Sequence, residues 1–270
     1  MAKIKRGSVV ARFSYNKDIF FVVDKIIKIS NNKKIAILKG LTIRIVADAP
    51  LEDLEIICQE NILNKIDNEE KNLENRLINM CRLKNIEMFK TGKILHLDGD
   101  RRYSEKSAKY YKKLGLNAVV KNIPENKQSK YIIFLLERYK PDILVITGHD
   151  AMFKKESNYN NIYNYRNSRH FIETVKNARK WAQNSDKLVI FAGACQSFFE
   201  AIIAAGADFA SSPGRILIDF IDPLIVAKKV AITEDYKIIG IYDFIDEIKE
   251  GEKGVGGTKV KGKKHVILAK

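Results

Sequence analysis

Three apolar runs in the second half of the chain each stop at a polar turn containing glycine: KILHL before Asp98-Gly99-Asp100, ILVIT before Gly148-His149-Asp150, and LVIFA before Gly193-Ala194-Cys195-Gln196-Ser197. Runs this continuously apolar are not half-exposed strands, which alternate polar and apolar side chains. They predict strands covered on both faces. Segments of helical period separate them: 104–114, begun by Ser104 as N-cap, 128–140, stopped by Pro141, and 168–183. With a further strand at 117–123, this rhythm predicts an α/β unit over residues 91–270, a mainly parallel sheet flanked by helices. Functional groups of such sheets gather at the carboxyl ends of the strands, so the three turns are expected to open on one edge.

The chain before this unit has a different texture. Residues 7–57 hold short alternating runs separated by Asn-Lys turns, which predicts four or five antiparallel strands. So short a set closes its edges best as a small SH3-like β-barrel over residues 1–57. A docking role fits it better than nucleic-acid binding, because aromatic residues beside its basic ones are limited to Phe13 and Tyr15. Residues 58–90 place Ile62, Ile66, Leu73, Leu77 and Met80 at helical spacing and predict a helical connector. Towards the other end, 216–233 predicts a helix kinked or divided by Pro223 and then a strand. The glycine-rich 251–264 reads as a hairpin or mobile tail, without the strand-to-helix context of a phosphate loop.

Composition narrows the setting. In 270 residues no apolar run approaches the roughly 20 that a spanning helix requires, and the first residues lead into a polar segment, so a cytoplasmic protein without membrane contact is expected. The three cysteines, Cys58, Cys81 and Cys195, form no C-x-x-C pair, and neither a disulfide framework nor a cysteine zinc site is implied. Cys58 and Cys81 read as small buried apolar residues. The net charge of +15 is spread over lysines in every segment, the pattern of a solvated surface; a nucleic-acid partner is not implied.

The chemistry concentrates in the turns. Cys195 precedes 196–205, which reads as a helix closed by Gly206, and a helix N-terminus favours thiolate over thiol. His149, at another strand end, is positioned to take the thiol proton and later protonate a leaving amine. His96 lies within a strand, His170 on an amphipathic helix and His265 in the lysine-rich tail. With no histidine pair at ligand spacing, neither a metal nor another cofactor is expected. A glutamine amidotransferase-like hydrolase is the first alternative, since Gly-Ala-Cys before a helix resembles a nucleophile elbow, but that class places its histidine after the cysteine. A basic nucleic-acid-binding module is the second.

The order of His149 before Cys195, 46 positions from 149 to 195, resembles the caspase and gingipain type of cysteine peptidase. The chain departs from it in having Gly-Ala-Cys where a caspase has Gln-Ala-Cys, and Asp150 where glycine is common. A closer resemblance covers nearly the whole chain: KRGSVVARFSY at 5–15, LTIRIVAD at 41–48, PDILVITGHD at 141–150, the stretch 158–169 and Gly193 with its following turn are similar to the YabG family of sporulation-specific peptidases. That resemblance implies a cysteine endopeptidase that cuts next to arginine in proteins of the spore coat and cortex, working in the mother-cell cytoplasm or at the coat. The placement of the two turns makes the main-chain N–H groups of Cys195, Gly148 and Asp150 the expected oxyanion hole. Guanidinium recognition demands a carboxylate. Asp98 and Asp100, at the strand end where the caspase type places a specificity residue, are the first candidates, and both also read as turn-forming aspartates around Gly99. Asp150, Asp208 and Asp219 stand in reserve, Ser211 opens a segment suited to a pocket wall, and the Asn- and Tyr-rich 151–167 reads as a substrate-facing loop.

Overall fold

Alternating side chains shape the first of two compact units, Met1–Asn79 and Met80–Lys270, into which the computed structural model divides the chain. The structure describes residues 3–29, 33–80, 89–153, 159–183 and 187–266. In the first unit, β1 (Val9–Arg12), β2 (Phe20–Lys28), β3 (Lys34–Gly40), β4 (Val46–Pro50) and β5 (Leu54–Ile56) form one antiparallel sheet in the order β4-β3-β2-β1-β5. Val10, Phe21, Val23, Ala36, Leu38, Ala49 and Leu54 meet as its core. Asp53, just before β5, accepts hydrogen bonds from Arg12 Nε (2.9 Å), Ser14 N (2.8 Å) and Ser14 Oγ (2.7 Å), which ties the strand to the end of β1. A single helix, α1 (Gln59–Met80), follows. Cys58 stands exposed before it, not buried as expected, and Cys81 lies outside the described residues.

The second unit runs β6 (Phe89–Lys90), β7 (Ile94–Asp98), α2 (Arg101–Lys113), β8 (Ala118–Asn122), α3 (Glu125–Tyr139), β9 (Ile143–Thr147), α4 (Ser168–Ala182), β10 (Val189–Ala192), α5 (Phe199–Ala204), β11 (Phe209–Ser211), α6 (Asp222–Ile232), β12 (Ile238–Ile239), β13 (Val255–Gly257), β14 (Val260–Lys261) and β15 (His265–Val266). Its main sheet has the order β13-β11-β10-β9-β7-β8, parallel throughout except for β13. Every residue of β7, β9 and β10 is buried, which is why their sequences are apolar without alternation. On one face Leu95, Leu97, Leu144, Ile146 and Ile190 pack against Ile132, Leu136, Phe171 and Val175 of α3 and α4. On the other, His96 is fully buried, held by Tyr111 Oη of α2 (3.1 Å) and Thr147 Oγ1 (2.7 Å).

Several elements depart from expectation for local reasons. The cap of α2 is Asp100, whose carboxylate accepts Arg102 N and Tyr103 N, so the helix begins before Ser104. Pro223 occupies the first turn of α6, where its missing N–H breaks no helical bond, and it opens that helix instead of dividing it. The glycine-rich segment is no tail. Gly256 and Gly257 belong to β13, where a Cβ at Gly257 would stand 2.4 Å from Asp208 O; the bare backbone is what lets this edge strand close on β11.

Candidate active site

The chain passes from β7 outward to β8 and then back across β7 to β9, so the sheet changes its direction of growth between β7 and β9. Connections leaving such a point diverge to opposite faces and open a crevice beyond the carboxyl ends of the two strands. Asp98-Gly99-Asp100 and Gly148-His149-Asp150 flank it, and the Cys195 turn follows β10, the next strand along.

His149 is held from both sides of its ring. Its main-chain N–H donates to Glu125 Oε1 (2.7 Å), the same oxygen lies 3.8 Å from Nδ1, and Nε2 lies 3.7 Å from Asp100 Oδ2. Tyr103 of α2 meets the ring at 6.0 Å between centroids with an interplanar angle of 63°. The side chain is 3% exposed, and among the described residues its Nε2 has no hydrogen-bond partner. Burial pushes the Glu125 carboxyl up, but the hydrogen bonds and charge of His149 outweigh it and hold the group below the ordinary range. Glu125 was missed in the sequence, where it falls ahead of the helix expected at 128–140; the helix in fact begins with it. The signal that could have found it is a pair of strand-end glycines: a Cβ at Gly99 or Gly148 would stand 2.2 Å or 2.3 Å from Glu125 Oε1.

Asp150, next in the chain, turns the other way. Its fully buried carboxylate accepts Ala151 N (2.9 Å), Asn167 N (2.8 Å), Ser168 Oγ (2.5 Å) and Ser197 Oγ (2.9 Å). Ser197 Oγ in turn accepts Ala194 N (2.9 Å), and Ser168 Oγ accepts Phe198 N (2.8 Å). The histidine turn, the start of α4 and the cysteine turn are thus bolted together by one carboxylate. Burial outweighs these hydrogen bonds and pushes its pKa up to about 6. As a saturated acceptor inside the protein, Asp150 is a brace and not a receptor for a substrate side chain.

Cys195 sits in a strained turn. Gly193 has φ +113° and Gln196 φ +56°, and α5 begins only at Phe199. The expectation that Cys195 stands at a helix N-terminus is therefore corrected: the Ser197 hydroxyl donates to Asp150 and accepts from Ala194 N–H, and the backbone from 195 to 198 is not helical. In place of a helix terminus, the sulfur meets the main chain of Ile218. Ile218 N–H donates to Sγ (3.4 Å) and Sγ lies 3.8 Å from Ile218 O, so the main chain of this residue faces the sulfur with both a donor and an acceptor. Gln196 N donates to Ile216 O (3.0 Å), and Phe220 packs on Tyr103 and Tyr110 of α2, fixing residues 216–220 against Cys195. Cys195 is fully buried.

The candidate specificity residues separate. Asp98 is fully buried and accepts Asp100 N (2.8 Å) and Thr147 Oγ1 (2.7 Å), a brace at the end of β7. Asp208 stands at the amino end of β11, away from the turns, paired with Arg179 (2.8 Å) and bonded to Ile190 N (2.8 Å). Ser211, at the carboxyl end of β11, is fully buried beside Gly193. Asp219 caps the turn before α6 through Ile221 N (3.0 Å). Asp100, 19% exposed, keeps Oδ2 toward the crevice while Oδ1 caps α2. His265 is about half exposed and bonded to Asp235 (2.9 Å), within the small pair of β6 and β15.

A family model described as YabG peptidase U57 matches residues 5–268. The sporulation-specific protease YabG of Bacillus subtilis (strain 168) is 38% identical over 275 residues, covering 95% of this chain and 94% of that protein. No solved structure gives a significant match. The match runs through both units and through every turn of the site, and this chain accordingly belongs to the YabG peptidase family.

Proposed function

We propose that this peptidase is a cysteine endopeptidase of the caspase type that cuts next to arginine, with Cys195 as nucleophile and His149 as general base and then acid. The observation that carries the reading is that these residues end neighbouring parallel strands, β10 and β9, in turns joined through Asp150 and Ser197. The thiolate attacks the scissile carbonyl, the thiol proton passes to His149 and then to the leaving amine, and water hydrolyses the thioester. Main-chain N–H groups of Cys195, Gly148 and Asp150 serve as oxyanion donors in this reading. The histidine turn preceding the cysteine turn, on a sheet whose last strand β13 is antiparallel, supports the caspase-type assignment. The five-stranded antiparallel sheet of the first unit supports an SH3-like module.

Because Cys195 is buried against Ile218, residues 216–220 move aside as the peptide enters. Asp100 receives the arginine, a role favoured by its partly exposed carboxylate, whose Oδ2 lies beside His149. Kinship with a protease named for sporulation supports action in the mother cell on proteins of the spore coat and cortex. Wild type and Cys195→Ala are to be incubated with arginine-containing peptides, with and without iodoacetamide, and the cuts mapped. Cleavage beside arginine by wild type alone, lost on alkylation, is the expected result; cutting by the Ala variant sinks the proposal. Activity lost in His265→Ala and kept in His149→Ala would favour the amidotransferase-like alternative.

A further inference from the structure

We infer that Glu125 is the positioning residue of the site, holding the His149 imidazole through Nδ1 so that Nε2 is the nitrogen that exchanges a proton with Cys195. The inference rests on the Cys195–His149 reading above and adds a third member to it. Three independent features of the structure converge on this carboxylate. It accepts the main-chain N–H of His149 at 2.7 Å, which fixes the turn, and the same oxygen stands 3.8 Å from Nδ1, at ion-pair distance from the ring. Two glycines from different strand ends, Gly99 and Gly148, lie against it, and a Cβ at either would displace the Glu125 carboxylate from where it stands. Neither glycine has a positive φ, so the demand at both positions is for space and not for backbone freedom. Finally, Nε2 is buried without a hydrogen-bond partner among the described residues, the condition of a nitrogen kept for another group.

The chemistry follows from what a buried carboxylate does to an imidazole. Its charge stabilises imidazolium over imidazole, and therefore the ion pair that results when His149 takes the thiol proton. The groups facing His149 are Glu125 from α3, Asp100 from the turn after β7 and Tyr103 from α2. Asp100 is the carboxylate assigned to substrate, and Glu125 also holds the His149 main chain, which leaves Glu125 as the constant partner. No covalent step involves Glu125. It holds a negative charge throughout, and the proton moves only between Sγ, Nε2 and the leaving amine.

The test compares kcat and KM against pH for wild type, Glu125→Gln and Glu125→Asp on an arginine-containing peptide, beside Cys195→Ala and His149→Ala. Gln keeps an oxygen for the His149 N–H but removes the charge. It is expected to lower kcat about tenfold with KM nearly unchanged, and to move the alkaline limb, where imidazolium is lost, down by about one pH unit. Asp keeps the charge and withdraws it by one methylene, so kcat falls while the limb stays. The imidazole of His149, titrated by NMR in the Cys195→Ala background, gives a readout independent of cleavage and is expected to fall by about one unit when Gln replaces Glu125. Cleavage persisting in Cys195→Ala or His149→Ala would overturn the dyad and this inference together. Loss of cleavage in both, with wild-type kcat, alkaline limb and His149 titration in Glu125→Gln, would overturn this inference alone. If Gln prevents folding, an unchanged kcat in Glu125→Asp overturns it as well.

Discussion

The turns after β9 and β10 are neighbours built from opposite materials. The histidine turn is hemmed by carboxylates, Glu125 on one side of the ring and Asp100 on the other, and its glycine is there to make room for charge. The cysteine turn meets main-chain dipoles and hydroxyls: Ile218 N–H and C=O at the sulfur, Ser212 Oγ and Ile216 O at Gln196 N, and Ser197 beneath. Its strain lies in backbone angles, at Gly193 and Gln196, where the histidine turn has none. The difference teaches where each charge is meant to rest. In the proposed mechanism a cation on imidazole is met by fixed negative charge, whereas an anion on sulfur or on a carbonyl oxygen is met by main-chain N–H groups, which stabilise it without neutralising it.

The sharpest break of this comparison is to remove the sulfur. Cys195→Ala is expected to abolish cleavage, whereas His149→Ala, which removes proton transfer and spares the nucleophile, should lower kcat/KM by about 10²- to 10⁴-fold; equal residual rates in mass-resolved peptide assays would contradict the division of labour. Asp100→Asn comes next. Asparagine still caps α2, so thermal stability should hold, while the loss of a charged hydrogen bond of about 1.5 to 3 kcal/mol should weaken kcat/KM for arginine peptides roughly tenfold or more. An unchanged preference for arginine would remove Asp100 from the pocket. Gly148→Ala drives a Cβ into Glu125 and should cost about 1 to 3 kcal/mol in denaturant unfolding, with a matching loss of activity.

The smallest effect tests the brace between the turns. Asp150 has its pKa raised to about 6 from an ordinary 3.8, so folding favours its protonated form. Its contribution is full below the unfolded value and is lost as pH rises through 6. From pH 7 down to pH 5, wild type should gain about 1 kcal/mol relative to Asp150→Asn in matched urea titrations. A parallel pH dependence of the two proteins would mean that the carboxylate is not desolvated.

Much of this arrangement was legible before any coordinates. The run ILVIT is β9 residue for residue, and the placing of His149 and Cys195 beyond strand ends follows from apolar runs that stop at glycine. The helix after Cys195 was misread because Gln196, Ser197 and Phe198 are compatible with a helix on propensity. What decides against it is long-range: Asp150, 47 positions away, takes the Ser197 hydroxyl, and Ile216 takes the Gln196 N–H. Glu125 escaped for the same reason, since its partner lies 24 positions on and no local period records the pair. The edge strand β13 was hidden by composition; its glycines resemble a flexible tail until β11 is present to pack against.

The shelter around Cys195 bears on how such a peptidase ages. Peroxide climbs the ladder from sulfenic to sulfinic acid only at a thiolate it can touch, and here no part of Cys195 reaches solvent. Under the proposed mechanism, damage to Cys195 accrues only while residues 216–220 stand open, a cover that the exposed Cys58 lacks.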